Sequence, residues 1–271
     1  MSTKPPFTIN ILASILTLTF AAVIPASAGT LITNGNLETW NTVSGTPPQG
    51  TPTGWAGAGT VIRSSGIVAG STYSGVIQAT QSGLYTTSLL ESTAQFELSF
   101  VLAATDPGST SSRSFNLQLS QSSGTFLNFR TVRGSSGAGF LTLQVYNIAT
   151  TSWSNLVQNL NASVYTGGTT NSFTTLNPYA FTFDVDLTGT PSWSLSYGAV
   201  GGSVTTLSGM TIFSANPTVG GALTQFGFAG GASASNYGVD NISAIAVPEP
   251  GTAILALAGG LILVANLRRK I

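Results

Sequence analysis

Tyr179-Ala-Phe-Thr-Phe-Asp-Val-Asp-Leu187 alternates large apolar side chains with small or charged ones. Successive side chains on a strand point to opposite faces. Phe181, Phe183, Val185 and Leu187 therefore share a buried face, and Asp184 and Asp186 share the other. The same period-two pattern recurs on both sides of this stretch. Upstream it is carried by Phe96, Leu98, Phe100 and Leu102, then by Phe115, Leu117 and Leu119, then by Leu141, Leu143 and Val145. Downstream it is carried by Trp193, Leu195 and Tyr197.

Turn-forming residues separate these runs, as in Asp106-Pro-Gly-Ser-Thr-Ser-Ser112 and Gly134-Ser-Ser-Gly-Ala-Gly139. No amphipathic helix is legible between residues 29 and 247. Thr224 to Gly231 reads as a strand entering a turn, and Tyr237 to Ala246 as the final strand. About a dozen short strands without helices predict an all-β chain, an antiparallel β-sandwich of jelly-roll type. No linker or internal repeat divides it.

Charge is sparse. The segment from 29 to 247 has acids at Glu38, Glu91, Glu97, Asp106, Asp184, Asp186 and Asp240, and bases at Arg63, Arg113, Arg130 and Arg133. It has no lysine, and seven acids against four bases leave a net charge of −3. No basic patch is available for a phosphate backbone, so nucleic acid is excluded as a partner. The remaining polar surface is Ser, Thr, Asn, Gln and Gly, which suits a polysaccharide-rich surrounding. The chain has no cysteine and no histidine. That excludes disulfides, Ser-His-Asp and Cys-His nucleophiles, and histidine-ligated zinc.

The two ends carry targeting signals. Lys4, the apolar run Phe7 to Ile24 and Ala26-Ser-Ala28 have the layout of an export signal, predicting a signal helix over 1–28 cleaved before Gly29. The mature β domain is then 29–246. At the other end, Val247-Pro-Glu-Pro-Gly251 is stiff and extended because each proline fixes its own φ and biases its predecessor away from helix. Thr252 to Leu267 is uncharged, and as a transmembrane helix it would reach about 24 Å, short of a hydrocarbon core of about 30 Å. Snorkelling by flanking arginines can make up the difference. Arg268, Arg269 and Lys270 would stay cytoplasmic, which puts the β domain across the membrane.

Pro248, Glu249 and Pro250, the apolar span and the basic triplet Arg268, Arg269 and Lys270 together resemble the PEP-CTERM sorting signal of Gram-negative bacteria, over residues 247–271. That resemblance implies an exosortase as processing partner, an inner-membrane-anchored precursor, and a final place at the cell surface or in the matrix with exopolysaccharide or biofilm. A lipid-anchor signal shares the small-residue, spacer and apolar plan but lacks the terminal basic cluster; an ordinary stop-transfer anchor is the plainer alternative.

Two short motifs bracket the β domain: Asn34-Gly-Asn-Leu-Glu38 with Pro52-Thr-Gly-Trp55 at its start, and Asp240-Asn-Ile242 at its end. They resemble galactose-binding-like and carbohydrate-binding-module jelly rolls, whereas the middle, around residues 179–186, is similar to concanavalin-like sandwiches. In such modules the first and last strands pair, and a first-strand Glu and last-strand Asp share a structural calcium. The resemblance thus implies Glu38 and Asp240 as calcium ligands. The alternative is a solvated strand glutamate and a turn-forming aspartate.

Glycan binding needs aromatic faces beside polar groups. Trp55 and Trp153 are the candidate ligand-binding residues. Trp153 looks the more loop-like, in the polar context Thr150-Thr-Ser-Trp-Ser-Asn155, while Trp193 alternates with Leu195 and Tyr197 and reads as packing. Asp184 and Asp186 are about 7 Å apart by strand rise, within the range of glycosidase carboxyl pairs, but the apolar face opposite them places both in solvent. No catalytic residue is assigned. The sequence favours an exported, non-catalytic surface or matrix protein that associates with extracellular polysaccharide. A purely structural or adhesive envelope protein is the alternative, and a polysaccharide-modifying enzyme comes third.

Overall fold

The computed structural model describes residues 29–247, except 46, 59–60, 69, 79–82, 106–113, 134–139, 162–164, 167–177 and 232–235. The expected signal helix over 1–28, the loops at 106–112 and 134–139, and the tail with Pro248, Glu249, Pro250, Arg268, Arg269 and Lys270 lie outside the described residues.

Fifteen strands are described, in chain order: β1 (Trp55–Ala58), β2 (Val61–Ser65), β3 (Tyr73–Gln78), β4 (Gly83–Thr86), β5 (Gln95–Thr105), β6 (Ser114–Gln121), β7 (Gly124–Arg133), β8 (Phe140–Asn147), β9 (Ser152–Asn161), β10 (Tyr165–Thr166), β11 (Tyr179–Asp186), β12 (Ser192–Ala199), β13 (Thr205–Met210), β14 (Gln225–Gly230) and β15 (Asn236–Ala246). They form two sheets. One is seven-stranded, in the order β1-β4-β14-β6-β7-β8-β9. The other runs β13-β12-β11-β5-β15-β3-β2, with short β10 alongside β5. Pairing is antiparallel throughout, apart from β10 with β5. The chain is therefore the all-β sandwich that its alternation implies, of jelly-roll type.

The alternating runs supply both inner faces. Phe96, Leu98, Phe100 and Leu102 on β5, with Phe181, Phe183 and Val185 on β11, meet Phe115, Leu117, Phe129 and Phe228 of the opposite sheet, all buried. Phe100 sits at the centre, with ring centroids 5.0 Å from Phe228, 5.4 Å from Phe181 and 5.8 Å from Phe115. Phe129 meets Phe183 edge-on at 5.0 Å. Offset and edge-to-face contacts of this kind add to the burial of area.

A second, smaller apolar cluster lies on the outside of the eight-stranded sheet. Ile62, Val76 and Ala103 are buried there, with Ile67 packed over them. Ile67 belongs to the loop between β2 and β3, which folds back over the outer face of β3 and β15. This cover decides the environment of the last strand's Asp240.

Candidate functional site

The motif at the start of the domain is a knot of turns. Asn34 and Leu37 both have positive φ, 53° and 56°, and Leu37 N–H donates to Asn34 O at 3.1 Å. The Asn34 amide nitrogen donates to the carbonyls of Thr39 (2.6 Å) and Thr53 (3.2 Å), while its oxygen accepts from Thr39 N–H at 3.0 Å. Asparagine tolerates the left-handed region and can hydrogen-bond its own turn. Gly35 has a different reason: a Cβ there would lie 1.9 Å from the Ile242 carbonyl oxygen. The close approach serves a bond, because Ile242 N–H donates to Gly35 O at 2.8 Å.

That bond is possible because β15 is irregular. Asn241 has a φ of 48°, and the register of β15 against β5 shifts between Asp240 and Ser243. The bulge turns Ile242 N–H away from β5 towards the first motif. Residues 29–31 run beside the same strand, with Leu31 N–H bonded to Ala244 O at 2.7 Å and Thr30 bridged to Ile245. The two ends of the domain are thus joined.

This arrangement brings Glu38 and Asp240, 202 positions apart in the chain, into one depression of about 270 Å³, which Asn36, Gly70, Ser71 and Asn241 also line. Glu38 Oε1 accepts from Thr72 N–H (2.6 Å), Tyr73 N–H (3.2 Å) and Ser71 Oγ (2.9 Å). Partial desolvation pushes its pKa up, but these bonds outweigh it and hold the carboxyl below its ordinary value. Asp240 is 0 % exposed. Its Oδ2 accepts from Ile67 N–H at 3.1 Å and its Oδ1 from Asn241 N–H at 2.7 Å. Burial pushes its pKa above the ordinary aspartate value, against those hydrogen bonds, and the neighbouring Glu38 charge adds to the rise.

Chemically the depression offers two carboxylates and two amide side chains, all hard oxygen donors. That donor set fits a divalent cation such as calcium in kind, with amide and carbonyl oxygens completing the shell. Among the described residues no group of three or more His, Cys, Asp or Glu converges on one point, so a histidine- or cysteine-type metal centre is not built here.

The tryptophans separate. Trp55 is 3 % exposed, against Phe226 at 5.6 Å and Phe228 at 6.3 Å. Its Nε1 donates to Asn34 O at 3.3 Å. The expectation of a ligand platform at Trp55 is therefore corrected: Gly54, at φ +86°, turns the chain so that the indole enters the core and braces the first motif. Trp153 is half-buried on the outer face of edge strand β9. The Arg130 guanidinium carbon lies 3.8 Å over its ring, and Tyr146 approaches it edge-on at 5.6 Å. Trp193 is buried, as its alternation implied. Asp184 is exposed and stands directly opposite Glu97 across the β11–β5 pair. Asp186 is partly desolvated, which raises its pKa, but bonds from Thr188 N–H (2.8 Å) and Oγ1 (2.7 Å) lower it further, below the ordinary value. Sequence reasoning passed over Arg130, Tyr146 and Gln144, although their polar-outward positions beside Phe129 and Val145 were readable from the alternation.

Comparison with known proteins adds one motif. Residues 246–270 match the PEP-CTERM protein-sorting motif. No curated protein matches the chain as a relative. Among solved structures, the alginate lyase from Klebsiella pneumoniae is similar at 8% identity and a TM-score of 0.42, over 64% of this chain and 81% of that one. The binding domain of botulinum neurotoxin DC in complex with SialylT is similar at 10% identity and 0.46, over 86% of this chain but only 51% of that one. The CBM2 module of the Lactobacillus casei BL23 phage J-1 evolved Dit gives 11% and 0.43, over 73% and 93%.

Proposed function

We propose that the chain is an exported, non-catalytic protein of the cell surface or extracellular matrix, delivered by an exosortase and associated with extracellular polysaccharide. The observation that carries this reading is the sorting motif at 246–270. A motif of this kind implies export, a membrane-anchored precursor and processing by an exosortase. In this reading residues 1–28 are removed as a signal peptide, 29–246 form the delivered domain, and 247–271 hold it at the inner membrane of a Gram-negative cell until Pro248-Glu-Pro250 is recognised. Arg268, Arg269 and Lys270 fix the orientation.

The domain's part is to meet glycan. Its outer surfaces are rich in neutral amides and hydroxyls, with Trp153 half-buried among Arg130, Gln144 and Asn155. Calcium at Glu38 and Asp240 would lock the first motif to the last strand, a structural rather than catalytic use. Pull-down of the chain with the producing organism's own extracellular polysaccharide tests the reading. Retention that Trp153→Ala abolishes is the expected result, and no retention on any polysaccharide contradicts it.

A second reading, a structural or adhesive protein that associates with itself, is favoured by β13. This edge strand carries no charge and no proline, the devices that usually blunt a sheet edge, and Val204 beside it is 67 % exposed. Concentration-dependent association in the absence of polysaccharide would favour this reading over the first.

A further inference from the structure

The two sheets differ in charge. The strands of the eight-stranded sheet carry Glu97, Asp184, Asp186 and Asp240 against Arg63. The seven strands of the other sheet carry no Asp or Glu among the described residues; their charged residues are Arg130 and Arg133. Phe129 and Thr131 face the core, so Arg130 points outward.

Arg130 is the middle of a cross-strand row. Asn116 pairs with Arg130, Arg130 with Gln144, and Gln144 with Asn155. Arg130 Nε donates to Gln144 Oε1 at 2.6 Å, and Gln144 Nε2 donates to Asn155 Oδ1 at 2.7 Å. The guanidinium is laid over Trp153 at 3.8 Å. An amide and a π face therefore hold it in one orientation, and neither neutralises it. Its Nη groups have no acceptor and no carboxylate partner among the described residues. Half-burial disfavours the charged form and pulls its pKa down, so the ion is held at a cost that no counter-ion in the described protein offsets.

A planar fork of N–H donors, fixed and uncompensated, matches a bidentate oxyanion. We propose that this row is a subsite for an acidic sugar residue of an extracellular polysaccharide, its carboxylate or sulfate on the Nη edge of Arg130. The exposed Asn155 amide, whose N–H groups have no acceptor among the described residues, meets a ring hydroxyl, and the sugar lies against the Arg130–Trp153 stack. The proposal rests on the polysaccharide reading above and adds the chemical class of glycan and the residue that selects it.

The test is binding of the full-length chain, in detergent micelles, to sodium alginate as a polyuronate, to dextran sulfate and to neutral dextran. The basic triplet of the tail is common to all variants, so differences between variants report on the sheet. The wild type is expected to bind at least one acidic probe and to bind dextran more weakly. Arg130→Gln is expected to lose about tenfold or more, and Arg130→Lys to lie between, because it keeps the charge without the fork. Asn155→Ala, at an exposed position, is expected to weaken binding without moving the melting temperature, which keeps the test decisive if Arg130→Gln fails to fold. Preference for alginate or for dextran sulfate identifies carboxylate or sulfate. Equal binding of dextran, or acidic binding unchanged by both Arg130→Lys and Asn155→Ala, overturns the subsite but leaves the polysaccharide reading intact. No binding to any of the three probes overturns the subsite, and the pull-down on native polysaccharide then decides the broader reading separately.

Discussion

Ile242 N–H donates to Gly35 O at 2.8 Å, and this bond docks the Asn34–Glu38 motif on the last strand, alongside the bonds that residues 29–31 make to the same strand. It requires a left-handed Asn241 on one side and a residue without a Cβ on the other. Gly35→Ala puts a methyl group 1.9 Å from a backbone oxygen, which no side-chain rotation relieves. The expected cost is about 1–3 kcal/mol, read as a lower urea midpoint at unchanged slope. Gly189→Ala is the control, since nothing lies within 4 Å of its added Cβ. Equal stability of the two variants would show that Gly35 is not closely docked on Ile242.

In the proposed reading, calcium and pH act on the same pair of carboxyls, Glu38 and Asp240. Burial raises the Asp240 pKa, so the folded state binds its proton more tightly than the unfolded state does. That contribution is full at acid pH and is lost as pH rises from the ordinary aspartate value through the folded one. Glu38 and Asp186 are lowered, so their contributions are present above their ordinary values and lost as pH falls through the folded ones. Metal-free protein should therefore have a melting temperature that peaks in the acid range and declines towards neutrality. Added calcium should raise the neutral-pH value, and Asp240→Ala should abolish that rise. A melting temperature indifferent to calcium and to chelator would remove the ion from the account.

Trp55 and Trp153 should separate in a stability measurement. Trp55 is buried against two phenylalanines, so Trp55→Ala should cost about 3–5 kcal/mol and lower the amount of folded protein. Trp153→Ala, at a half-buried edge position, should cost much less and act on binding. Comparable destabilisation by both would mean that Trp153 is a core residue in all but name.

The central ring stack offers a simpler check. Phe100 touches Phe115, Phe181, Phe183 and Phe228, so Phe100→Ala should cost about 3–5 kcal/mol in a chemical unfolding series. A loss below about 1 kcal/mol would mean that the site collapses around the gap.

The strands whose alternation is clean, such as β5, β11 and β12, were legible because a period-two code maps one face to the core without ambiguity. β7 was less legible, since Phe126 and Leu127 are adjacent and both buried. The register shift between Leu119 and Ser120 on its partner strand accommodates that break. Trp55 misled for a related reason: a tryptophan after Pro-Thr-Gly looks like a loop residue until the positive φ of Gly54 turns it inward. The meeting of Glu38 with Asp240 was readable only through family resemblance, because nothing local to either residue encodes a contact across most of the chain. The burial of Asp240 was not readable at all, since it depends on the loop around Ile67 folding over the outer face.

Mass spectrometry of both termini, on protein recovered from the cell envelope and from the medium, tests delivery most directly. The account expects a chain that starts at Gly29 and ends close to Pro248-Glu-Pro250, with the 251–271 segment retained when the exosortase is deleted. Full-length 1–271 recovered from the cytosol, with both ends uncut and unchanged by that deletion, would contradict it.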